Sequence, residues 1–338
     1  MEDVPDPLVS GPLDVLVEVG GAGLCRTDLH ITEGQWADKS GVELPYILGH
    51  ENAGWVREVG QAVTSVAPGD PVILHPLVTC GLCRACRAGD DVHCEASVFP
   101  GIDADGGMAR YLRTNARAVV KLDGSLAPAD VAALADAGLT AYHAVKKALP
   151  LAYPGAHVAV IGAGGLGHIG IQCLTAMSAA EITVVEVSEA ALSLAKDLGA
   201  DHTVHAGNDT GDPGDPGDPG DPGAAVRDIT GGGAHVVLDF VGEKGMERHG
   251  VAMLREAGSY FVIGYGGAVH VPTIDIVSAE INIIGNLVGS YNELAELMAL
   301  AAHGKVTLHT TTYPLDAVGD AIHDLESGSL RGRGILVP

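Results

Sequence analysis

A glycine-rich turn between two apolar segments places the strongest constraint on the fold of this chain. Residues 158–161 are the apolar run Val-Ala-Val-Ile, and residues 162–167 read Gly-Ala-Gly-Gly-Leu-Gly. Residues 169–177 have the composition of a helix, and residues 182–187 are again strand-like. A strand, a glycine turn, a helix and a parallel strand make a right-handed βαβ unit. The pattern predicts a doubly wound parallel sheet with a dinucleotide at the turn.

This unit also supplies candidate cofactor-binding residues. Glycines let the backbone approach a pyrophosphate at the amino end of a helix. The turn residues predicted to hold it are Gly162, Gly164, Gly165, Leu166 and Gly167. Glu186, at the end of the second strand, can accept hydrogen bonds from both ribose hydroxyls and would repel a 2′-phosphate. We therefore expect NAD rather than NADP, the alternative being a glycine turn that serves only helix–strand packing.

Helical and strand-like segments alternate after this unit, which predicts further parallel strands. The predicted helices are 189–198, 224–229 and 246–254, and the predicted strands are 203–204, 234–240 and 259–263. Residues 211–223 interrupt the alternation with four Gly-Asp-Pro triplets and a final glycine. Because these residues break strands and helices, we expect a mobile surface loop of polyproline character.

Four cysteines follow the spacing C-x2-C-x2-C-x7-C and are Cys80, Cys83, Cys86 and Cys94. Four thiolates can surround one zinc ion at about 2.3 Å and close its coordination sphere. The spacing therefore predicts a structural zinc site. A redox CxxC pair, an iron–sulfur cluster and chance are the alternatives.

Charge and composition exclude several classes of partner. The 43 acidic residues exceed the 19 basic ones and give a net charge of -24, which repels nucleic acids and anionic lipids. Residues 158–180 carry no Asp, Glu, Lys or Arg, but their glycines argue against a membrane span. Residues 1–7 lack the basic and apolar regions of a signal peptide, so we expect a cytoplasmic location.

The remaining segments predict a β-rich part and several helices. Short strands and turns before residue 125, such as strand 13–19 leading into a loop at Cys25, suggest a compact, barrel-like domain. Residues 129–138 are alanine-rich and predict a helix, followed by a second helix over 139–149. Further helix and strand patterns near the end of the chain are 292–303 and 331–337.

Together these motifs resemble the zinc-containing medium-chain alcohol dehydrogenases over nearly the whole chain. The matching stretches are Cys-Arg-Thr-Asp-Leu-His at 25–30, Gly-His-Glu at 49–51, the four cysteines and the glycine turn. The resemblance implies an α/β chain with two domains. These are a GroES-like β-rich catalytic domain (1–136 and 288–338) and a Rossmann NAD-binding domain (137–287, with the insertion 211–223).

The resemblance also assigns a catalytic zinc and its surroundings. Its implied ligands are Cys25, His50 and Asp136, and Glu51 is a neighbour that can exchange with the zinc-bound water. Three protein ligands leave one position of the zinc open, as in catalytic sites.

Further roles in catalysis and cofactor binding follow from the same resemblance. Thr27 would bond the substrate oxygen, Asp28 would orient the histidine ligand, and His30 would pass a proton to solvent through the ribose. Arg26 and Arg333 match positions that hold the pyrophosphate.

We therefore expect zinc-dependent oxidation of a primary or secondary alcohol to an aldehyde or ketone, with two zinc ions per chain and hydride transfer to NAD. The resemblance alone implies a homodimer or homotetramer. Within the family, a threonine, polyol or formaldehyde-adduct dehydrogenase is the alternative, because the positions expected to line the pocket, near Trp36, Trp55 and Leu287, do not decide the substrate. A zinc-free reductase of the same fold would lack this ligand set. A non-catalytic dinucleotide-binding protein would be expected to have lost Cys25, His50 or Thr27, and all three are present.

Overall fold

The computed structural model describes residues 3–35, 41, 45–207, 221–243, 245–330 and 332–338. The chain divides into two compact units. The first unit contains Met1–Leu139 and Val288–Pro338, and the second contains Thr140–Leu287. Within the described residues, no helix has both the length and the apolar character that a bilayer crossing requires.

Helices and strands alternate regularly along the sequence of the second unit, but not along that of the first. The strands are β1 (Asp14–Leu24), β2 (Glu51–Val59), β3 (Pro71–Leu74), β4 (Tyr111–Asn115), β5 (Val119–Lys121), β6 (His157–Ile161), β7 (Glu181–Glu186), β8 (His202–His205), β9 (Ala234–Asp239), β10 (Leu254–Val262), β11 (Asn282–Gly285), β12 (Thr310–Pro314) and β13 (Arg333–Val337). The α-helices are α1 (Arg26–Thr32), α2 (Arg84–Ala88), α3 (Pro128–Val131), α4 (Ala137–Ala148), α5 (Gly167–Met177), α6 (Glu189–Asp197), α7 (Pro222–Thr230), α8 (Met246–Ala252), α9 (Thr273–Ala279), α10 (Tyr291–Ala302) and α11 (Val318–Glu326).

The first unit is built on a seven-stranded, largely antiparallel sheet. Its strand order is β12-β13-β1-β2-β3-β5, and β4 pairs with β1. Valines and leucines of β1, β2, β4 and β13 meet in one buried core, among them Val15, Val56, Leu112 and Leu336. β1 runs five residues beyond the predicted strand end at residue 19, through a glycine-rich stretch. A Cβ on Gly21 would lie 2.9 Å from the Cα of Ala129, so close packing against α3 accounts for a glycine there.

The second unit is a six-stranded sheet in which every neighbouring pair of strands is parallel. Its order is β11-β10-β9-β6-β7-β8, which is the doubly wound order of dinucleotide-binding folds. The predicted fold class is confirmed. The predicted βαβ unit corresponds to β6, α5 and β7.

Two predicted elements near the zinc-ligand candidates were wrong in detail. The predicted helix over 129–138 consists of α3 and a 3-10 turn (Ala132–Ala135), and it breaks at Asp136, whose φ is -126° and ψ -59°. The predicted loop at Cys25 is instead the start of α1, with Cys25 in extended conformation as its N-cap residue. Cys25 and Asp136 are thus both at helix boundaries, and their side chains lie close together, as described below.

The Gly-Asp-Pro insertion is described only at its end, because residues 208–220 lie outside the described residues, and with them most of the predicted mobile loop. Asp221, Pro222 and Gly223 are buried, so the loop prediction was wrong for these three residues. Asp221 is the N-cap residue of α7 and accepts a hydrogen bond from the Gly223 backbone at 2.8 Å, while Pro222 takes the first helical position. These residue types favour a helix start, which is why α7 begins two residues before the predicted helix.

Candidate zinc and dinucleotide sites

One candidate metal site joins residues from three parts of the first unit. Cys25, His50, Glu51 and Asp136 each offer a ligand atom, and these atoms lie within 4.8 Å of one another. The β1–β2 pairing, in which Gly23 is opposite Glu51, brings Cys25 near the start of β2. The break between the 3-10 turn and α4 supplies Asp136. The structure thus brings together the three predicted ligands and their predicted neighbour.

His50 is the best indicator of a cation in this cluster. Its side chain is 1% exposed, and neither ring nitrogen makes a hydrogen bond to a described residue. Nδ1 lies 3.4 Å from Asp28 Oδ1, and Nε2 lies 3.5 Å from Asp136 Oδ2. Because buried polar atoms without partners are costly, an imidazole in this state fits a metal ligand. A carboxylate behind a ligating histidine is a recurrent feature of zinc sites, and Asp28 has that position.

Burial and charge act together on the acids and bases of this site. Burial is the main cause that raises the pKa of Asp136 to about 6. Burial alone would lower the pKa of His50, but the charge of Asp28 and the proximity of Cys25 hold it well above its usual value. A thiol and three carboxyl groups therefore share a buried space with few positive charges. A divalent cation would stabilise their ionised forms, so this donor set fits zinc.

Helix α1 holds Asp28 in the orientation that His50 needs. The backbone N–H of Cys25 donates to Asp28 Oδ2 at 2.8 Å, and the Cys25 side chain accepts from the backbone of Asp28. This leaves Oδ1 of Asp28 facing His50. Thr27 and His30, predicted to act on substrate and proton, are three residues apart on α1 and partly exposed. That spacing places them on one face of the helix.

Glu51 and Arg333 form a buried ion pair beside the ligand cluster. Glu51 is fully buried, its Oε1 accepts from the Ala137 backbone at 3.1 Å, and the Arg333 guanidinium pairs with the same oxygen. Burial opposes the charge of Arg333, but Glu51 and Cys25 more than offset this and raise its pKa. The resemblance places Arg333 at the pyrophosphate, whereas here its guanidinium meets Glu51. The pyrophosphate roles of Arg333 and of the exposed Arg26 stay predictions.

The second candidate metal site is the cysteine quartet. The four sulfurs of Cys80, Cys83, Cys86 and Cys94 lie within 4.8 Å of one another, and none of these residues forms a disulfide. The backbone N–H groups of Leu82 and Cys83 donate to Cys80 Sγ at 3.4 Å each, and they lower the pKa of Cys80 to about 6. Four converging sulfurs with backbone donors suit a closed tetrahedral zinc site better than a single redox pair.

In the second unit, the glycine turn shows which glycines serve the fold. Gly162 has a φ of +85°. A Cβ on Gly167 would lie 2.7 Å from the carbonyl carbon of Gly162. By contrast, a Cβ on Gly164 would meet no atom within 4 Å. The space beside Gly164 is therefore open to a ligand, which fits a pyrophosphate at the start of α5.

Glu186 ends β7 beside this turn. Its Oε2 accepts from the Ala163 backbone at 2.8 Å, and its Oε1 accepts from Val187 at 2.7 Å. The carboxylate is thus held in place at the carboxyl end of the sheet. Gly165 and Leu166 complete the turn, and Leu166 is the residue before α5.

The sequence did not predict one neighbour of the first site, and the residues expected to line its pocket are placed differently in the structure. Phe99 packs edge-to-face on His50, with ring centroids 5.9 Å apart. A single aromatic residue 49 positions away carries no local signal of this contact. Trp55, one of three residues guessed to line the pocket, packs on Gly20, since a Cβ there would lie 2.6 Å from its ring. Of the other two, Trp36 lies outside the described residues, and Leu287 is 56% exposed in the second unit.

Comparison with known proteins gives consistent results over the whole chain. Residues 11–124 match the family model described as alcohol dehydrogenase GroES-like domain, and residues 165–303 match the zinc-binding dehydrogenase model. An NAD-dependent alcohol dehydrogenase of Sulfurisphaera tokodaii is 36% identical, covering 100% of this chain and 96% of the relative. A D-arabinose 1-dehydrogenase (NADP+) of Saccharolobus solfataricus is 34% identical, covering 100% of this chain and 94% of the relative.

A solved structure shows the same similarity. The crystal structure of the alcohol dehydrogenase of Aeropyrum pernix has a TM-score of 0.93 and 45% identity, covering 100% of this chain and 96% of that one. The resemblance inferred from the motifs is confirmed. The chain belongs to the zinc-containing alcohol dehydrogenase family.

Proposed function

We propose that this protein is an NAD-dependent alcohol dehydrogenase that oxidises a primary or secondary alcohol to an aldehyde or ketone. The observation that carries the proposal is His50, a buried imidazole whose two nitrogens make no hydrogen bond within the described part of the chain and face Asp28 and Asp136. Such a buried donor set suits zinc, whereas binding of a dinucleotide alone does not call for it. Family membership supports the same conclusion.

The residues of the first site would have distinct roles in the reaction. Cys25, His50 and Asp136 would hold a zinc ion that, when bound, acts as a Lewis acid on the alcohol oxygen. Asp28, whose Oδ1 lies 3.4 Å from Nδ1, would orient the His50 ring so that Nε2 faces the ligand cluster. Thr27 and His30 would carry the proton away along one face of α1. The other zinc would lie within the cysteine quartet and stabilise the surrounding segment.

The second unit would bind NAD. The open space at Gly164 would admit the pyrophosphate, and Glu186 would accept the ribose hydroxyls. A carboxylate at that point disfavours the 2′-phosphate of NADP. We assign residues 1–136 and 288–338 to a catalytic domain and 137–287 to an NAD-binding domain, close to the bounds of the compact units.

Assembly and location also remain proposals. A homodimer or homotetramer would cover exposed apolar side chains such as Ile274 and Val277 of α9, which are 67% and 75% exposed. A cytoplasmic location is consistent with unpaired cysteines throughout the chain.

A sugar or polyol is the second candidate substrate, because one relative is named for D-arabinose oxidation. That relative is also named for NADP, whereas Glu186 of this chain favours NAD. A comparison of cofactors and substrates in one assay therefore separates the two candidates.

The test follows NADH formation with purified, zinc-replete protein. The panel contains short primary alcohols, secondary alcohols, D-arabinose, sorbitol and threonine, each with NAD and with NADP. We expect turnover of simple alcohols with NAD, and loss of both turnover and one zinc equivalent in His50→Ala. Cys173→Ala is the matched control, because Cys173 is buried and belongs to neither ligand cluster.

Two results would contradict the proposal. One is full turnover in His50→Ala. The other is the absence of turnover with every substrate of the panel, in folded protein that holds two zinc ions per chain.

A further inference from the structure

A buried histidine lies in the first turn of α5, immediately after the glycine turn. His168 is fully buried, and its ring Nδ1 lies 2.8 Å from the carbonyl oxygen of Gly164. The same oxygen accepts from the His168 backbone N–H at 3.2 Å. Because a carbonyl oxygen can only accept, the ring must carry a hydrogen on Nδ1. The ring and the backbone of one residue thus hold the same carbonyl group.

The position of the Gly164 carbonyl group determines the direction of the next backbone N–H. The C=O and N–H groups of a planar trans peptide point in opposite directions. Since the Gly164 carbonyl points toward α5, the Gly165 N–H points away from this helix. It donates to no backbone carbonyl of the described residues. N–H groups of this kind, at the start of a helix, are the donors that bind phosphate groups.

Packing alone does not fix this peptide. A Cβ on Gly164 would meet no atom within 4 Å. Glycine also has more backbone freedom than any other residue. Gly167 differs, because its Cβ would lie 2.7 Å from the carbonyl carbon of Gly162, so that close contacts surround it. The hydrogen bond from His168 therefore restricts the part of the turn that faces the open space.

A second histidine in the chain makes the same contact in a different setting. His303 Nδ1 lies 2.6 Å from the carbonyl oxygen of Ala299, four residues earlier, but His303 is exposed and follows the last residue of α10. That contact only satisfies a carbonyl group at the end of a helix. His168 is at the opposite end of its helix, and its ring is removed from water, which is unfavourable unless its polar atoms are bonded.

We propose that His168 is a positioning residue for the dinucleotide, because its Nδ1–H fixes the Gly164–Gly165 peptide and so directs the Gly165 N–H toward the pyrophosphate. This inference rests on the proposed NAD-binding function and adds a residue that acts through the backbone. Donors that are fixed before the ligand arrives bind it more tightly, since less conformational freedom is lost on binding. The affinity for NAD is therefore the quantity that should change.

The test compares two side chains of similar size at position 168, one with a donor and one without. Gln172, on the same helix, donates from Nε2 to the carbonyl group four residues earlier at 3.0 Å, so glutamine can make this bond in α5. In calorimetric titration, we expect the NAD dissociation constant of His168→Gln to be within about twofold of wild type, and that of His168→Met to rise about fivefold or more. Urea unfolding checks that each variant is folded, and His168→Leu takes the place of His168→Met if the latter is not.

Gln172→Met is the matched control. It makes the corresponding change one turn farther along α5, at a buried residue whose amide donates to the carbonyl group of His168 and not to the glycine turn. We expect this variant to bind NAD as wild type does, even if its free energy of unfolding falls.

Two results would overturn the proposal. One is equal NAD affinity in His168→Met and His168→Gln, because the donor at this position would then have no effect on the turn. The other is the same loss of affinity in Gln172→Met, which would indicate a general loosening of α5. Absence of NAD binding in wild type would overturn the proposed function itself and this inference with it, so the two failures are distinguishable. The titration requires neither zinc nor an alcohol.

Discussion

Two alanine substitutions in the glycine turn should distinguish a glycine that the fold requires from a glycine that cofactor binding requires. In Gly167→Ala, the new Cβ would approach the carbonyl group of Gly162, with 2.7 Å to its carbon. Backbone must then move, and overpacking of this kind costs about 1–3 kcal/mol. In Gly164→Ala, the Cβ meets nothing within 4 Å and the residue has no positive φ. A Gly→Ala change without strain stabilises by about 0.4–1 kcal/mol through the unfolded chain.

The substitution that leaves the fold stable, Gly164→Ala, should be the one that weakens NAD binding. The methyl group of Gly164→Ala would occupy space that the proposed pyrophosphate needs. We expect NAD affinity to fall at least tenfold, or about 1.4 kcal/mol. Urea unfolding gives the stability of each variant, and calorimetric titration gives the dissociation constant of NAD.

The reasoning fails in either of two cases. Gly164→Ala with unchanged NAD affinity would show that the open space is not where the cofactor lies. Gly167→Ala with wild-type stability would show that the turn is looser than the distances indicate.

Three further changes test other contacts. Tyr260→Phe removes the hydroxyl that donates to buried Asp239 at 2.5 Å and should cost about 1–3 kcal/mol in urea unfolding. Burial raises the pKa of Asp239, so this group favours the folded state at acid pH and loses that contribution as pH rises. The Tyr260 hydroxyl lowers the pKa of Asp239, because its hydrogen bond favours the carboxylate form. The cost of Tyr260→Phe should therefore be smaller at acid pH than at neutral pH, and an equal cost would contradict this. Asp221→Ala removes the N-cap of α7 and the carboxylate that lies 3.3 Å from His249. The free energy of unfolding should therefore fall by about 0.5–2 kcal/mol. Asp228→Ala, at an exposed position of the same helix, is the control. Chelation of zinc should open residues 80–94 to proteases, and added zinc should restore protection, because such segments fold around their metal. Unchanged digestion would argue against the structural site.

Local patterns were sufficient for the parallel sheet and for the cysteine quartet. Residues 158–187 contain a strand, a turn, a helix and a second strand in direct succession, and the four cysteines lie within 15 positions. The βαβ unit and the quartet each lie within one short stretch of sequence, whereas β6 also pairs with the distant β9. Both can therefore be predicted from spacing and hydrophobicity.

The arrangement around His50 depends on contacts that no local pattern contains. Alanine propensity predicts an unbroken helix through Asp136, but packing of the 3-10 turn against β2 and β1 overrides it. Arg333 meets Glu51 across 282 positions of sequence. Such pairs form only when β13 and β2 both pair with β1, so the sequence could indicate the residues without giving their partners.

The buried start of α7 has a consequence for how this protein can change in length. The triplet that ends in Pro222 has the same three residue types as the triplets before it. If whole triplets were gained or lost by replication slippage, the residue entering the N-cap position would again be aspartate, followed again by proline. Helix initiation would thus be insensitive to the number of copies.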